Sequence, residues 1–185
     1  MKMKKIMIAL AAVALAVSAQ AASFNWKTGM GGQVYQAGTT TTANGMVAYL
    51  FDAAVTSQSD AFAALSAGTA VTSIAGGLDS ATLSSGKIAT QTAFSWGEAG
   101  DTLSAYFVIV NGEDFYISSL QSAAADAAAT KTLQYSEKTA SQAVLNTTGS
   151  YAGAGWYTAA AVPEPTSGLL MLVGLAGLAL RRRRA

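Results

Sequence analysis

The chain contains neither histidine nor cysteine, so any chemistry falls to carboxylates, hydroxyls, indoles and the backbone. That removes Ser-His-Asp and Cys-His nucleophilic catalysis, and with them the ordinary zinc and haem sites. No phosphate loop and no G-x-G-x-x-G is present. Two acidic pairs, Glu98 with Asp101 and Glu113 with Asp114, have the spacing to offer oxygens to a weak calcium site. Their plain reading is as solvated turn residues. A glycosidase needs only two facing carboxylates, but the acids are concentrated in turns and nothing singles out a pair. Trp26, Trp96 and Trp156 could form a sugar-stacking platform on a sheet face, or could simply pack in the core. Two further motifs lie toward the ends of the sequence, the second of which could also be a plain linker. Ala19-Gln20-Ala21 has the small-x-small form of a signal-cleavage site. Val162-Pro163-Glu164-Pro165 holds the only prolines of the chain. Each proline fixes its own φ and pushes the preceding residue toward extended conformations, which suits a peptide that lies in an enzyme's groove.

The segments flanking these two motifs give them meaning. Thr166 to Leu180 carries no charge and is apolar all round a helix. Fifteen residues at ~1.5 Å each give roughly 22 Å, short of a ~30 Å hydrocarbon core. Arg181, Arg182, Arg183 and Arg184 come directly after it. Such a cluster is a stop-transfer and cytoplasmic-side signal, and its long stems can snorkel to offset the short span. Pro-Glu-Pro, a short apolar helix and a terminal arginine cluster, in that order, resemble the PEP-CTERM sorting signal. The resemblance covers about 24 of the 185 residues. It implies that an exosortase, a membrane-embedded cysteine transpeptidase, recognises Pro163-Glu164-Pro165, cuts nearby and discards the helix and arginines. It also implies a Gram-negative host that makes exopolysaccharide, which is a candidate partner of the exported domain.

The N-terminus agrees with the tail. Lys2, Lys4 and Lys5 precede an apolar run from Ile6 to Val17 and the Ala19-Gln20-Ala21 site, so a signal peptidase is expected to cut after Ala21. The sequence thus divides into a signal peptide (1–21), an exported domain (22–161) and a sorting signal with a transmembrane helix (162–185). Within 22–161, four lysines face nine carboxylates, a net charge of −5, although the whole chain is +1. An acidic exported domain without a basic cluster argues against nucleic acid. With no cysteine, stability must come from packing alone. No cofactor and no metal is expected.

The middle reads as mainly β: an antiparallel sheet or sandwich with one or two short helices. Ser23 to Gly32 reads as an irregular lead broken by glycines. Gln33 to Thr42 and Met46 to Asp52 read as strands joined at Asn44-Gly45 in a hairpin. Ser57 to Ala67 has the best helical signature, with Ser57 and Asp60 forming a capping box and Gly68 a stop. Leu78 to Thr82 suggests a turn or a helical turn, and Gly86 to Trp96 a strand leading into a turn at Gly97 to Gly100. Thr102 to Val110, the turn Asn111 to Asp114 and Phe115 to Ser118 form the strongest hairpin. Ala123 to Thr130 and Ser136 to Asn146 favour short helices, and Ser150 to Ala159 an edge strand. The expected function is that of a cell-surface or matrix protein without catalysis. A carbohydrate-binding module and a small hydrolase are the alternatives. Exposed coplanar rings would favour the first of these and two carboxylates facing across a cleft the second.

Overall fold

A computed structural model describes residues 21–136 and 150–159. Within these residues nine strands and one α-helix form two sheets and a covering layer: β1 (Ala21–Thr28), β2 (Val47–Asp52), α1 (Gln58–Ser66), β3 (Gly77–Thr82), β4 (Phe94–Glu98), β5 (Thr102–Asn111), β6 (Asp114–Ile117), β7 (Gln121–Ala124), β8 (Lys131–Tyr135) and β9 (Gly155–Thr158). A 3-10 turn at Val71–Ser73 lies between α1 and β3. The larger sheet has the order β3-β2-β5-β6-β9, with β7 also on β5, and the smaller has the order β4-β1-β8. Pairing between these strands is antiparallel, except between β1 and β8.

Alternation along β5 explains the layering. Leu103, Ala105, Phe107 and Ile109 point into the core between the sheets, where Ala22, Phe24 and Trp26 of β1 and Leu133 and Tyr135 of β8 meet them. Tyr106 and Val108 point the other way, toward Ala61, Phe62 and Leu65 of α1. The large sheet is therefore buried on both faces, and β5 reads as a continuous apolar run. Phe107 is the centre of the inner layer, with ring centroids 4.9 Å from Tyr135, 5.7 Å from Tyr116 and 6.2 Å from Trp26. On the outer layer Phe62 sits 4.9 Å from Tyr157 and 6.0 Å from Phe115. Helix α1 begins where its cap requires: the Asp60 N–H donates to Ser57 Oγ at 3.2 Å, and Ser57 Oγ donates to the Asp60 carboxylate at 2.6 Å.

Strand β5 is long enough for two partners on one edge. β6 pairs with residues 108–111 and β7 with 102–105. The break between them is held by Ser118, fully buried, whose Oγ accepts from the Phe107 N–H at 2.8 Å and donates to Ser119 O at 3.0 Å. The Ser118 N–H also donates to Phe107 O at 2.9 Å.

Several local expectations are corrected. Residues 23–28 are no lead but belong to the central strand of the small sheet, because Ala22, Phe24 and Trp26 alternate with polar residues and fill the core. Gln33 to Thr42 forms no named strand and holds together through isolated bridges such as Tyr35–Thr42. Its threonines bond within a turn instead, Thr39 Oγ1 donating to Gln36 O and accepting from the Thr41 N–H. The expected hairpin to β2 is absent, since β2 pairs with β3 and β5. Leu78 to Thr82 lies in the edge strand β3 rather than a turn. Of Gly86 to Trp96 only Phe94 onward is in a strand. The rest runs along β1 irregularly, through bonds such as the Thr28 N–H to Ile88 O at 2.9 Å. The strand passes through Gly97, where a bulge shifts the register (Ala21 opposite Glu98, Ala22 opposite Trp96) and the backbone takes φ +56°. Ala123 to Thr130 is not helical. Its first two residues close β7, and Asp126 Oδ1 accepts from the Ala128 N–H, a local bond that competes with a helix. Strand β8 has no counterpart among the expected elements. The expected helix from Ser136 to Asn146 lies, beyond Ser136 itself, outside the described residues, as do the signal helix and the transmembrane helix. Among the described residues no helix is long and apolar enough to cross a membrane.

Candidate processing sites and the domain between them

The three tryptophans are structural. Trp26 and Trp156 are fully buried in the core between the sheets, and Trp96 is half-buried against it. Each indole N–H reaches to another layer or loop. Trp26 Nε1 in β1 donates to Asp79 Oδ2 in β3 at 2.7 Å, and Trp96 Nε1 in β4 donates to Asp52 Oδ2 in β2 at 2.9 Å. Trp156 Nε1 in β9 donates to Tyr35 O at 2.9 Å. The first two of these bonds clamp the small sheet to the large one. Both acceptors are carboxylates, so the bonds are charge-assisted. Of the two readings of these rings, packing is the one seen for Trp26 and Trp156, so the three do not form an exposed platform. Asp52 is 6% exposed, and its other oxygen accepts from the Ala54 N–H at 2.9 Å, which closes the turn after β2. Neither carboxylate stands out in the sequence, because each partner lies more than 40 residues away.

The acidic pairs flank turns, with Glu98 closing β4 and Asp114 opening β6. Asp101 Oδ2 accepts from the Glu98 N–H at 2.9 Å and so caps the turn after β4. Asp114 Oδ1 accepts from Thr158 Oγ1 at 2.5 Å across the β6–β9 pair. Among the described residues no group of three or more acidic side chains is placed to hold a metal ion. Asp126 is held below the usual carboxylate range by its bond to Lys131, 2.9 Å away, with help from the Ala128 N–H.

Two concavities lie on the outer side of the large sheet. One, about 230 Å³, lies between the end of α1 and the β5–β6 turn, with Leu65, Val71, Val110 and Phe115 in its walls and Glu113 as its one carboxylate. The other, about 290 Å³, is an open groove over Tyr49, Phe51, Thr72, Ile74 and Ser80, with Asp79 as the one acidic residue of its lining. Neither presents two carboxylates facing each other, the arrangement glycoside hydrolysis uses.

The ends of the domain are defined by the strands that carry them. Ala21, the last residue of the expected signal, is the exposed first residue of β1, and Ala22 beside it is fully buried. Ala19 lies outside the described residues, as do Val162, Pro163, Glu164, Pro165 and Arg181 to Arg184. The chain leaves β9 at Thr158, and the Ala159 N–H donates to Glu113 O at 2.7 Å, pinning the exit to the β5–β6 turn. Ala22 pairs with Trp96, which bonds to Asp52, which pairs with Ala105 near the start of β5. Thr158 pairs with Asp114, which pairs with Asn111 at the end of β5. At ~3.4 Å per residue, the six steps from Ala105 to Asn111 put the two ends roughly 20 Å apart along the strands.

Residues 161–184 match the family model of the PEP-CTERM protein-sorting motif. The matched span contains Val162 to Pro165, the apolar run and all four arginines. The motif implies export with a membrane-anchored sorting signal, and an exosortase as the kind of partner that processes it. No curated protein and no solved structure matches the chain.

Proposed function

We propose that residues 22–161 act as a non-catalytic domain of the cell surface or extracellular matrix. A signal peptide exports the domain, signal peptidase frees it after Ala21, and the tail holds it at the inner membrane. There the exosortase cuts near Pro163-Glu164-Pro165 and removes the helix with Arg181 to Arg184. The observation that carries this reading is the sorting motif at residues 161–184. The absence of catalysis is supported by the chain's lack of histidine and cysteine. The final surroundings are expected to be exopolysaccharide. A carbohydrate-binding role built on the tryptophans has no support, since two of the three rings are fully buried.

The test is mass spectrometry of the protein recovered from envelope and medium of its host. Termini at Ala22 and near Pro163-Glu164-Pro165 are the expected result, and an added mass at the new C-terminus would identify what the domain was joined to. Protein that still carries Leu169 to Arg184 would overturn the transpeptidase reading and leave the tail as a plain anchor.

A further inference from the structure

The small sheet is organised around β1, with β4 on one side and β8 on the other. Ala21 pairs with Glu98 and Ala22 with Trp96. Ala22 is 0% exposed, and Phe24 and Trp26 beyond it are equally buried. The cut expected from Ala19-Gln20-Ala21 falls on the bond between Ala21 and Ala22. No spacer therefore separates the scissile bond from the first core residue. Hydrolysis there adds water across one peptide bond, leaving a carboxylate on Ala21 and an ammonium on Ala22. To do this a peptidase must take residues on both sides of the bond, in extended form, into its own cleft. It cannot do so while Ala22 is packed in the core and paired in the ladder.

We infer that folding of the domain closes its own signal-cleavage site. The signal has to be removed before β1 docks between β4 and β8, and a chain that folds first stays uncut. The inference rests on the signal-peptide reading proposed above. Chain order supplies the interval in which cutting can occur. Strand β8 begins 110 residues after Ala21, since β1 starts at 21 and β8 at 131. At ~5–20 residues per second of synthesis, β1 lacks its second neighbour for about 5–20 s. Processing becomes a race between peptidase and folding, with topology setting the time allowed. A strand whose partners came earlier in the chain would have no such interval.

The experiment uses the full-length precursor, made by cell-free synthesis into detergent micelles, with purified signal peptidase in the same detergent. Loss of residues 1–21 is monitored by mass spectrometry. Three substrates are compared: precursor allowed to fold, precursor freshly diluted from urea, and folded precursor with a six-residue Gly/Ser spacer between Ala21 and Ala22. The folded precursor should be cut about tenfold or more slowly than the other two, because cutting must wait for β1 to open. Folded precursor cut as fast as the spacer variant would overturn the inference while leaving the signal reading intact. If neither the urea-diluted chain nor the spacer variant is cut, the Ala19-Gln20-Ala21 reading is wrong and the inference falls with it.

Discussion

The clamp between Trp96 and Asp52 can be tested as an energetic unit. The indole lies 5.8 Å from the Phe24 ring in an edge contact, and replacing Trp96 by Phe keeps a ring there. The substitution removes only the indole N–H and part of a half-buried surface. It leaves Asp52 Oδ2 without its donor at a position 6% exposed. A hydrogen bond to a charged group is worth about 1.5–3 kcal/mol, and a buried acceptor left unpaired costs a similar amount. For the domain of residues 22–161 the unfolding entropy is about 0.3 kcal/mol per kelvin. Trp96→Phe should therefore lower Tm by about 5–10 °C. Asp52→Asn keeps an oxygen for the Ala54 N–H but removes the charge that faces the indole. In a double-mutant cycle the two substitutions should couple by at least about 1 kcal/mol, because they remove the same bond. The assay is calorimetry or urea denaturation of the domain lacking both terminal signals, on the four proteins of the cycle. If Trp96→Phe shifts Tm by less than about 2 °C, or if Asp52→Asn costs the same in both backgrounds, the indole–carboxylate bonds do not clamp the sheets and the argument for the structural role of the tryptophans fails.

Three further outcomes are expected. Gly86→Ala should destabilise the domain by about 2 kcal/mol or more in urea denaturation, because residue 86 has φ +71° and a Cβ there would lie 2.2 Å from Val34 O. Ser57→Ala should cost about 1 kcal/mol through loss of the α1 cap, and Ser57→Thr should recover most of it, because a hydroxyl there can both accept from the Asp60 N–H and donate to the Asp60 carboxylate. Stability should also fall at alkaline pH. Burial, then the charges of Asp60 and Tyr151, push the ionisation of Tyr106 well above the usual tyrosine range, and its hydroxyl donates to Thr56 O at 3.0 Å. The unfolded chain ionises near pH 10, so above that pH it binds fewer protons than the folded chain. The slope of stability with pH is then negative, at most about 1.4 kcal/mol per unit for Tyr106. Tyr157, raised mainly by burial, acts in the same direction. Urea midpoints measured from neutral pH upward should decline beyond about pH 10, and less steeply in Tyr106→Phe. A midpoint that stays flat to about pH 11 would contradict the prediction.

Local signals located what was local. The Ser57–Asp60 cap, the apolar run of β5 and its two-residue turn into β6 are each specified by neighbours in sequence, and each was legible. The sorting tail was legible for the same reason, since its chemistry lies in consecutive residues. The small sheet was not. Strand β1 pairs with residues 94–98 and 131–135, and its alternation was obscured by the glycines that come after it. β7 holds no large apolar residue and is a strand because β5 offers it a free edge, and β8 is too short for its Leu133 and Tyr135 alternation to stand out. The tryptophans had two readings in sequence. Their acceptors lie 53, 44 and 121 residues away, so only the fold could decide between platform and clamp.

The placement of the two chain ends bears on how the domain carries a mechanical load. Attached through its tail and held elsewhere by its small sheet, the domain is pulled between β9 and β1, which leave it at opposite ends of the strands. The hydrogen bonds from β9 to β6 run perpendicular to β9 across four residue pairs, Asp114–Thr158 to Ile117–Gly155. Under a pull applied along β9, these bonds are strained together in shear instead of opening one after another. A chain that left from the other end of β9 would be peeled away pair by pair at much lower force. For a domain without disulfides that is exported with a membrane-anchored sorting signal, the direction in which this strand runs decides whether a pull along it shears or peels the sheet edge.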